Sequence, residues 1–492
     1  MKASDDLFQL VKSLSMSEKR FFKLMSSLQV GDKGYMRLFD EMVKQKEYDE
    51  NAIVSKFKHE KFINQFWVVK NYLYNAILKS LEGNNANIDF NLSSLVNQSD
   101  ILFKKNLYDQ CRKLIKKTKE LSRKYEKPLY FLAATEMEVK LMRKESFVGI
   151  TESKIDLLYK EIMESIKKYQ GVIDYSFLSL QILHKMKHGT MPRTKNELKS
   201  YKKMPSPLFK NEKGADSFYA RYYLYNSKIA YYFVLQEYDN ALSYTHKSLK
   251  EMEQSPHQIA KNPDIYVSVL SNQINCFLHL KKYKLAEQNI KKVQESEMIP
   301  ENIKNSMRPR MYNLLLGIYD GTAEYEKGLV LVKEIEKSFL PFYAHKINKE
   351  LLMSLYLNNS FIYFGLKKYK DANRNLQKIF DPVFTDFMQS YTFCFSKIFA
   401  LLVHYELGNL DLLYYNTIST YRYLYRRKRL FKFETEILHF IRINSSGQNG
   451  KKDFAIELKK LREKLVKLNT DFFEKKAFDF FNFISWIDSK CK

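Results

Sequence analysis

Glycine and proline are scarce in this chain, with 14 and 10 copies in 492 residues. Strand-rich folds turn tightly and often, and tight turns draw on those two residues. The shortage therefore argues against an all-β architecture and favours long helices joined by few, short connections. Cysteine is scarcer still. Cys111, Cys276, Cys394 and Cys491 stand far apart and form no CxxC pair, which argues against a disulfide framework or a clustered zinc site and suits a reducing, cytoplasmic compartment. The most apolar stretch, Met388 to Tyr405, carries Lys397 at its middle, so a membrane span is not expected. Asp5 and Asp6 stand where a signal peptide would carry its apolar core.

Catalytic signatures are missing as well. The chain has no GxxxxGK[ST] or GxGxxG loop. His184 and His188 have helical metal-ligand spacing but lack nearby acidic ligands or the glutamate of an HExxH motif. Neither an enzymatic activity, a cofactor nor a metal is expected.

Basic residues are abundant. The 82 lysines and arginines against 56 acidic residues leave a net charge of +26, which suits acidic partners such as nucleic acid. Lysines spread over solvated helix faces explain the same excess, and that plainer reading is preferred. With 45% apolar and 28% charged residues, the composition is that of a globular chain.

The strongest signal is internal repetition. An aromatic residue is followed three positions later by a small one at Tyr108/Cys111, Tyr238/Ala241, Tyr283/Ala286, Tyr325/Gly328 and Tyr369/Ala372. Leu410/Leu413 keeps the spacing without the residue types. From Ala241 onward the small residues recur at intervals of 45, 42, 44 and 41. Each pair opens an apolar stripe at helical spacing, such as Tyr238, Ala241, Leu242, Thr245 and Leu249. The small side chain lets a partner helix approach, and the aromatic one turn earlier fills the remaining gap. Pro128, Pro256, Pro300, Pro341 and Pro382 follow the five clear helices and are expected to end them.

On these residues the chain resembles the tetratricopeptide (TPR) repeat family. Gln236 to Tyr244 and Lys367 to Asn373 look like the turn and second helix of such a unit. The likeness covers roughly residues 90–430, most clearly 218–382. The family's Trp-x2-Leu-Gly opening is absent, and the period exceeds the family's 34. The resemblance implies an all-α chain whose bulk is an α-solenoid of antiparallel helix pairs.

The expected organisation is a helical bundle over 1–85, a first arm over 86–188, an inserted loop over 189–217, the main solenoid over 218–440 and capping helices over 451–492. Ser15 and Glu18 form a capping box at the start of a helix. Residues 35–82 have a competing reading as a helix-turn-helix, although 8 basic against 7 acidic residues grip phosphates poorly. Phe454, Leu458, Leu461, Leu465 and Leu468 repeat at near-heptad spacing. They fit either a cap over the open end of the stack or a homodimer helix.

Two surfaces are candidates for function. Asn97, Asn226, Asn272, Asn313 and Asn358 each stand 11 or 12 residues before a repeat tyrosine. The resemblance implies inner-groove positions that grip the backbone of a peptide or protein partner; the alternative is bonding between neighbouring helices. Between Tyr421 and Lys432, aromatic residues alternate with Arg422, Arg426, Arg427, Lys428, Arg429 and Lys432. That mixture suits single-stranded nucleic acid or an acidic protein. It is also consistent with an amphipathic helix turning Leu424, Leu430 and Phe431 inward. Partner binding in the groove is the leading expectation, and nucleic-acid binding through 421–432 the alternative.

Overall fold

The computed structural model describes residues 5–27, 34–83, 87–188, 192, 194–204, 207–388, 390–445 and 451–490, without the side chains of 187, 188, 411 and 451–453. Cys491, the His188 side chain and parts of the 189–217 loop thus lie outside what is described. Among the described residues every regular element is helical, and no helix is long and apolar enough to cross a membrane. The chain divides into two compact units, Met1–Ile162 and Met163–Lys492.

The first unit begins with α1 (Asp6–Ser13), α2 (Met16–Ser27), α3 (Gly34–Lys44), α4 (Glu50–Lys56) and α5 (Phe66–Gly83). They close around Val11, Leu38, Phe39, Met42, Leu73 and Ile77. The Ser15 capping box forms: Ser15 Oγ accepts from the Glu18 amide at 3.2 Å, and Glu18 Oε2 accepts from the Ser15 amide at 2.7 Å. Next come α6 (Ile88–Lys104), α7 (Tyr108–Lys124) and α8 (Pro128–Lys144), each packed on the next, and then α9 (Glu152–His188), within which the division between units falls. Cys111 is fully buried in the α6–α7 seam, where its thiol donates to the Ser99 carbonyl at 3.3 Å. Burial pushes that thiol pKa up, which keeps the thiol protonated in its packing position.

In the second unit, 189–217 holds two short helices, α10 (Lys195–Lys202) and α11 (Pro207–Lys210). The repeats follow as α12 (Phe218–Val234) with α13 (Tyr238–Glu253), the short α14 (Pro256–Lys261), α15 (Pro263–His279) with α16 (Tyr283–Glu295), and α17 (Glu301–Gly321) with α18 (Tyr325–Glu334). After the short α19 (Leu340–Tyr343) come α20 (Lys349–Gly365) with α21 (Tyr369–Ile379), α22 (Tyr391–Glu406) with α23 (Leu410–Arg426), and α24 (Lys432–Ser445) with α25 (Lys451–Thr470). A 3-10 turn over Lys475–Asp479 leads to α26 (Phe483–Lys490). From α15 onward each first helix packs on its own second helix and on the first helix of the next pair, as in α15–α17, α17–α20, α20–α22 and α22–α24.

The sequence repeat is now a geometric one. Every marked residue (Tyr108, Tyr238, Tyr283, Tyr325, Tyr369 and Leu410) is the first residue of a second helix. Two positions earlier the backbone is left-handed at Asn106, Gln236, Lys281, Ala323 and Lys367, with φ between 57° and 59°, and at Gly408 with φ 72°. The next amide reaches back five residues, as in Lys368 to the Tyr363 carbonyl at 2.9 Å and Lys282 to Phe277 at 2.8 Å. This is the Schellman closure of a helix. Ala241, Ala286 and Ala372 are fully buried. A Cβ at Gly328 would sit 2.6 Å from Ile362 Cδ1, so contact between the helices leaves no room there for even a methyl group.

Four of the five prolines begin the next helical segment. Pro128, Pro256 and Pro382 stand at first helical positions, and Pro300 precedes α17. Pro341 departs from the expectation. The chain passes from α18 into α19 through a π-turn at Ile335–Phe339, which takes up a residue ahead of the missing amide, so Pro341 does not end the helical path. The heptad-like stripe of α25 is spent inside the unit. Leu458, Leu461 and Leu465 are buried in its core, and Phe454 and Leu468 pack against that core. Lys397, the charge within the apolar 388–405 stretch, lies over the Phe380 and Tyr423 rings at 4.6 and 4.9 Å.

Two substitutions in one turn should have opposite signs. Alanine at a helical glycine ordinarily gains about 1 kcal/mol. A Cβ at Gly365, however, would run into the Tyr325 ring, so Gly365→Ala should cost about 1–3 kcal/mol. Two residues on, Lys367→Gly relieves an exposed left-handed lysine and should gain about 1 kcal/mol. Urea unfolding of the two variants beside the native chain measures both; equal signs would overturn this account of the turn.

Candidate functional site

From Tyr238 onward each repeat tyrosine reaches the last turn of the next first helix. Tyr238 stacks on His279 with ring centroids 4.3 Å apart and planes within 5°. Tyr283 covers Gly321 and Tyr325 covers Gly365, while the Tyr369 hydroxyl bonds to Glu406. His279, Gly321, Gly365 and Glu406 thus form a row of sockets at the repeat interval. A cavity of about 1920 Å³ runs along this row, lined by all four sockets and by Tyr283, Tyr325 and Tyr369.

The inner faces of the first helices supply its polar wall. Asn313 and Asn358, both expected in the groove, line the cavity. They bond to each other: Asn358 Nδ2 donates to Asn313 Oδ1 at 2.7 Å and to the Asn313 carbonyl at 3.3 Å. Among the described residues this leaves the Asn313 side-chain amide donor and the Asn358 oxygen without a protein partner. One donor and one acceptor side by side match what an extended backbone presents.

The other three asparagines depart from the expectation. Asn97 is exposed on α6 in the first unit. Asn226 and Asn272 are half-buried on α12 and α15 and do not line the cavity. The cavity touches α15 only along its last turn, where Asn275 lines it, but covers α20 along nearly its whole length. A constant offset from the tyrosine therefore finds the correct side of each helix without finding how far along it the cavity extends.

Asp320 was not anticipated from the sequence. It lines the cavity at the end of α17, close enough to Tyr283 and Tyr325 for its charge to act on both hydroxyls. Burial pushes its carboxyl up to about 7, and among the described residues no cation pairs with it. Burial first, and the Asp320 charge second, push both tyrosine hydroxyls up. The opposite wall comes from residues far along the chain, including Lys476, Phe481 and Trp486.

The basic segment is divided by its fold. α23 ends at Arg426, and Lys428 is left-handed with φ 54°, so 421–432 is not one amphipathic helix. Arg427 turns inward with its guanidinium 3.8 Å from the centre of the Tyr423 ring, and Arg429 is buried. Both line the cavity. Arg422, Arg426, Lys428 and Lys432 are exposed, beside the exposed and parallel rings of Tyr421 and Tyr425. Among the described residues no cluster of side chains could hold a metal ion.

No family model matches the sequence, and no curated protein does. Among solved structures the chain is similar to the crystal structure of the apo form of RapI, at 12% identity, with 81% of this chain and 98% of that chain covered and a TM-score of 0.39. A likeness that slight carries no argument about fold, ligand or partner.

Asp320 gives the fold a pH signature. Its folded pKa of about 7 lies above the ordinary 3.8, so the folded state holds a proton that the unfolded state has released. Its contribution is complete below the unfolded value and falls as pH rises toward 7, by at most about 1.4 kcal/mol per pH unit. Asp320→Asn has no such slope. Melting both chains from pH 4 to 8 should show the variant gaining on the native chain up to about pH 7 and then holding level; a constant difference would show Asp320 to be solvated.

Proposed function

We propose that the chain is a non-enzymatic, TPR-like solenoid scaffold that binds an extended segment of a peptide or protein partner in its inner groove, in a regulatory role. The observation that carries this reading is the paired Asn313 and Asn358 in the wall of a cavity of about 1920 Å³. Their one donor and one acceptor lie beside aromatic rings and an unpaired carboxylate. Backbone-directed carboxamides hold a segment in register while the neighbouring side chains select its sequence. Cys111, Cys276 and Cys394 are buried free thiols, which suits the reducing cytoplasm.

The test is partner retention. Replacing both asparagines removes about two hydrogen bonds worth roughly 0.5–1.5 kcal/mol each, so Asn313→Ala with Asn358→Ala should weaken a captured partner about tenfold or more. Asn226→Ala, outside the cavity, should change nothing. Equal retention by the double variant and the native chain would remove the groove from the account.

A second reading keeps nucleic acid as the partner. The observation that favours it is the exposed set Tyr421, Arg422, Tyr425 and Arg426, with rings parallel to within 7°. Cations that reach phosphates beside rings that stack on bases are how single strands are held. Binding of an oligonucleotide should then fall steeply with salt as counterions are displaced. Arg422→Glu with Arg426→Glu should reduce it by at least about tenfold. Salt-insensitive binding, or binding unchanged by the reversal, would end this reading.

A further inference from the structure

Residues 471–490 carry seven aromatic side chains in twenty positions, more than a single capping helix needs. Only Phe483 and Trp486 of the seven are buried; the other five are half-buried, and Phe478, Phe480 and Phe481 of these pack against the core of the stack. At one end the segment holds the last socket: Trp486 Nε1 and Lys490 Nζ each donate to Glu406 at 2.7 Å. In the middle Phe481 packs among Phe361, Phe364 and Phe399, and Phe480 stacks on Phe395 with centroids 4.8 Å apart.

The other end reaches the first socket and the tyrosine that covers it, 200 or more residues back along the chain. Gln236 Nε2 donates to the Phe472 carbonyl at 2.9 Å. Lys476 Nζ donates to the Tyr238 hydroxyl at 3.1 Å and to Asp479 Oδ2 at 2.8 Å. The Tyr238 hydroxyl donates to Asp479 at 3.4 Å, and His279 Nδ1 stands 3.6 Å from the same carboxylate. Burial lowers the His279 pKa to about 4, so at neutral pH the imidazole is uncharged and the charge of Asp479 is balanced by Lys476.

The two ends differ in kind. Phe483 and Trp486 belong to the core around α22 and α24, and removing them would open it. At Gln236, Tyr238 and His279 the attachment consists of polar contacts, while Glu474 accepts from the Lys432 and Phe433 amides at 3.3 and 3.0 Å and Ala477 is buried in the core. The contacts that another polar segment can replace are therefore those of Lys476 and Asp479. Between the two ends the segment runs over the very groove that the functional reading assigns to a partner.

We propose that residues 471–482 are the groove's resident occupant, and that the partner is a segment of the same chemistry, with a lysine, an aspartate three residues later and adjacent phenylalanines, which binds by taking their place at Tyr238 and His279. This rests on the groove reading above. The chain occludes itself, and the affinity for a partner measured on the native chain is the affinity net of displacing 471–482.

A fluorescent synthetic peptide of residues 471–483 is the probe, added in trans to the full chain. Native protein should bind it weakly. Lys476→Ala with Asp479→Ala loosens the resident segment and should bind it at least about tenfold more tightly. Adding Tyr238→Ala and His279→Ala to that variant should return binding to the native level. Amide exchange on the native chain supplies a measurement free of mutation: excess peptide should strip protection from residues 472–479 and leave Phe483–Lys490 protected. The proposal is overturned if the loosened variant, with native helical signal and melting, binds no better than the native chain, or if protection at 472–479 ignores the peptide. A partner whose retention depends on Asn313 and Asn358 but not on the loosening would overturn displacement and leave the groove reading standing. Peptide binding that follows the loosening, with partner retention blind to the asparagines, would sink the groove reading alone.

Discussion

A tyrosine laid on the last turn of the next first helix governs the spacing of residues 218–426. Three features must coincide for it to fit. The backbone two residues earlier must be left-handed, which directs the ring across the gap between pairs. The residue three positions later must be small, so that the helix carrying the ring can approach. The receiving turn must offer glycine or a flat or polar partner. All three recur together from Gln236 to Glu406. The left-handed turn costs about 1–2 kcal/mol at each non-glycine residue, and it persists at Gln236, Lys281, Ala323 and Lys367 because the seam it creates returns more through packing and the Schellman hydrogen bonds.

How much of this the sequence discloses depends on whether a feature is local. The spacing of tyrosine and small residue is four positions long and could be read directly, as could the Ser15–Glu18 capping box. Asn313 and Asn358 could be found because a fixed offset from the tyrosine selects one side of a helix. Asn272 failed the same rule because the cavity covers only the last turn of α15, a limit set elsewhere in the fold. Arg427 and Arg429 were misplaced because a left-handed turn at Lys428 breaks what reads as one helix. Pro341 was misread because a π-turn absorbs the missing amide. Residues 471–490 could not be connected to Tyr238 at all; contacts more than 230 residues apart leave no periodic trace.

The excess of positive charge takes on a different meaning in the folded chain. Several cations are wholly or partly withdrawn from solvent against rings. Lys397 over Phe380 and Arg427 over Tyr423 are half-buried, while Lys228 over Tyr244 and Lys119 over Phe131 are buried and also paired with Glu212 and with Glu138 and Glu161. A ring face attracts a cation even where water is scarce, so a chain with 35 tyrosines and 36 phenylalanines can tolerate lysines inside its seams. Net charge therefore overstates the charge available to a polyanion, and the exposed Arg422 and Arg426 matter more than the total.

The socket row shows how one stack can be regular yet chemically varied. Because each ring comes from the preceding repeat, the receiving position can be glycine or a flat or polar residue without disturbing the spacing. It is glycine twice in the middle, where the cavity is open, and His279 and Glu406 at the ends, where polar contacts are made. Regular packing is held by the tyrosines and small residues, and chemical variety is confined to the few residue types that a covering ring tolerates. The row of sockets and the adjoining Asn313 and Asn358 line one cavity.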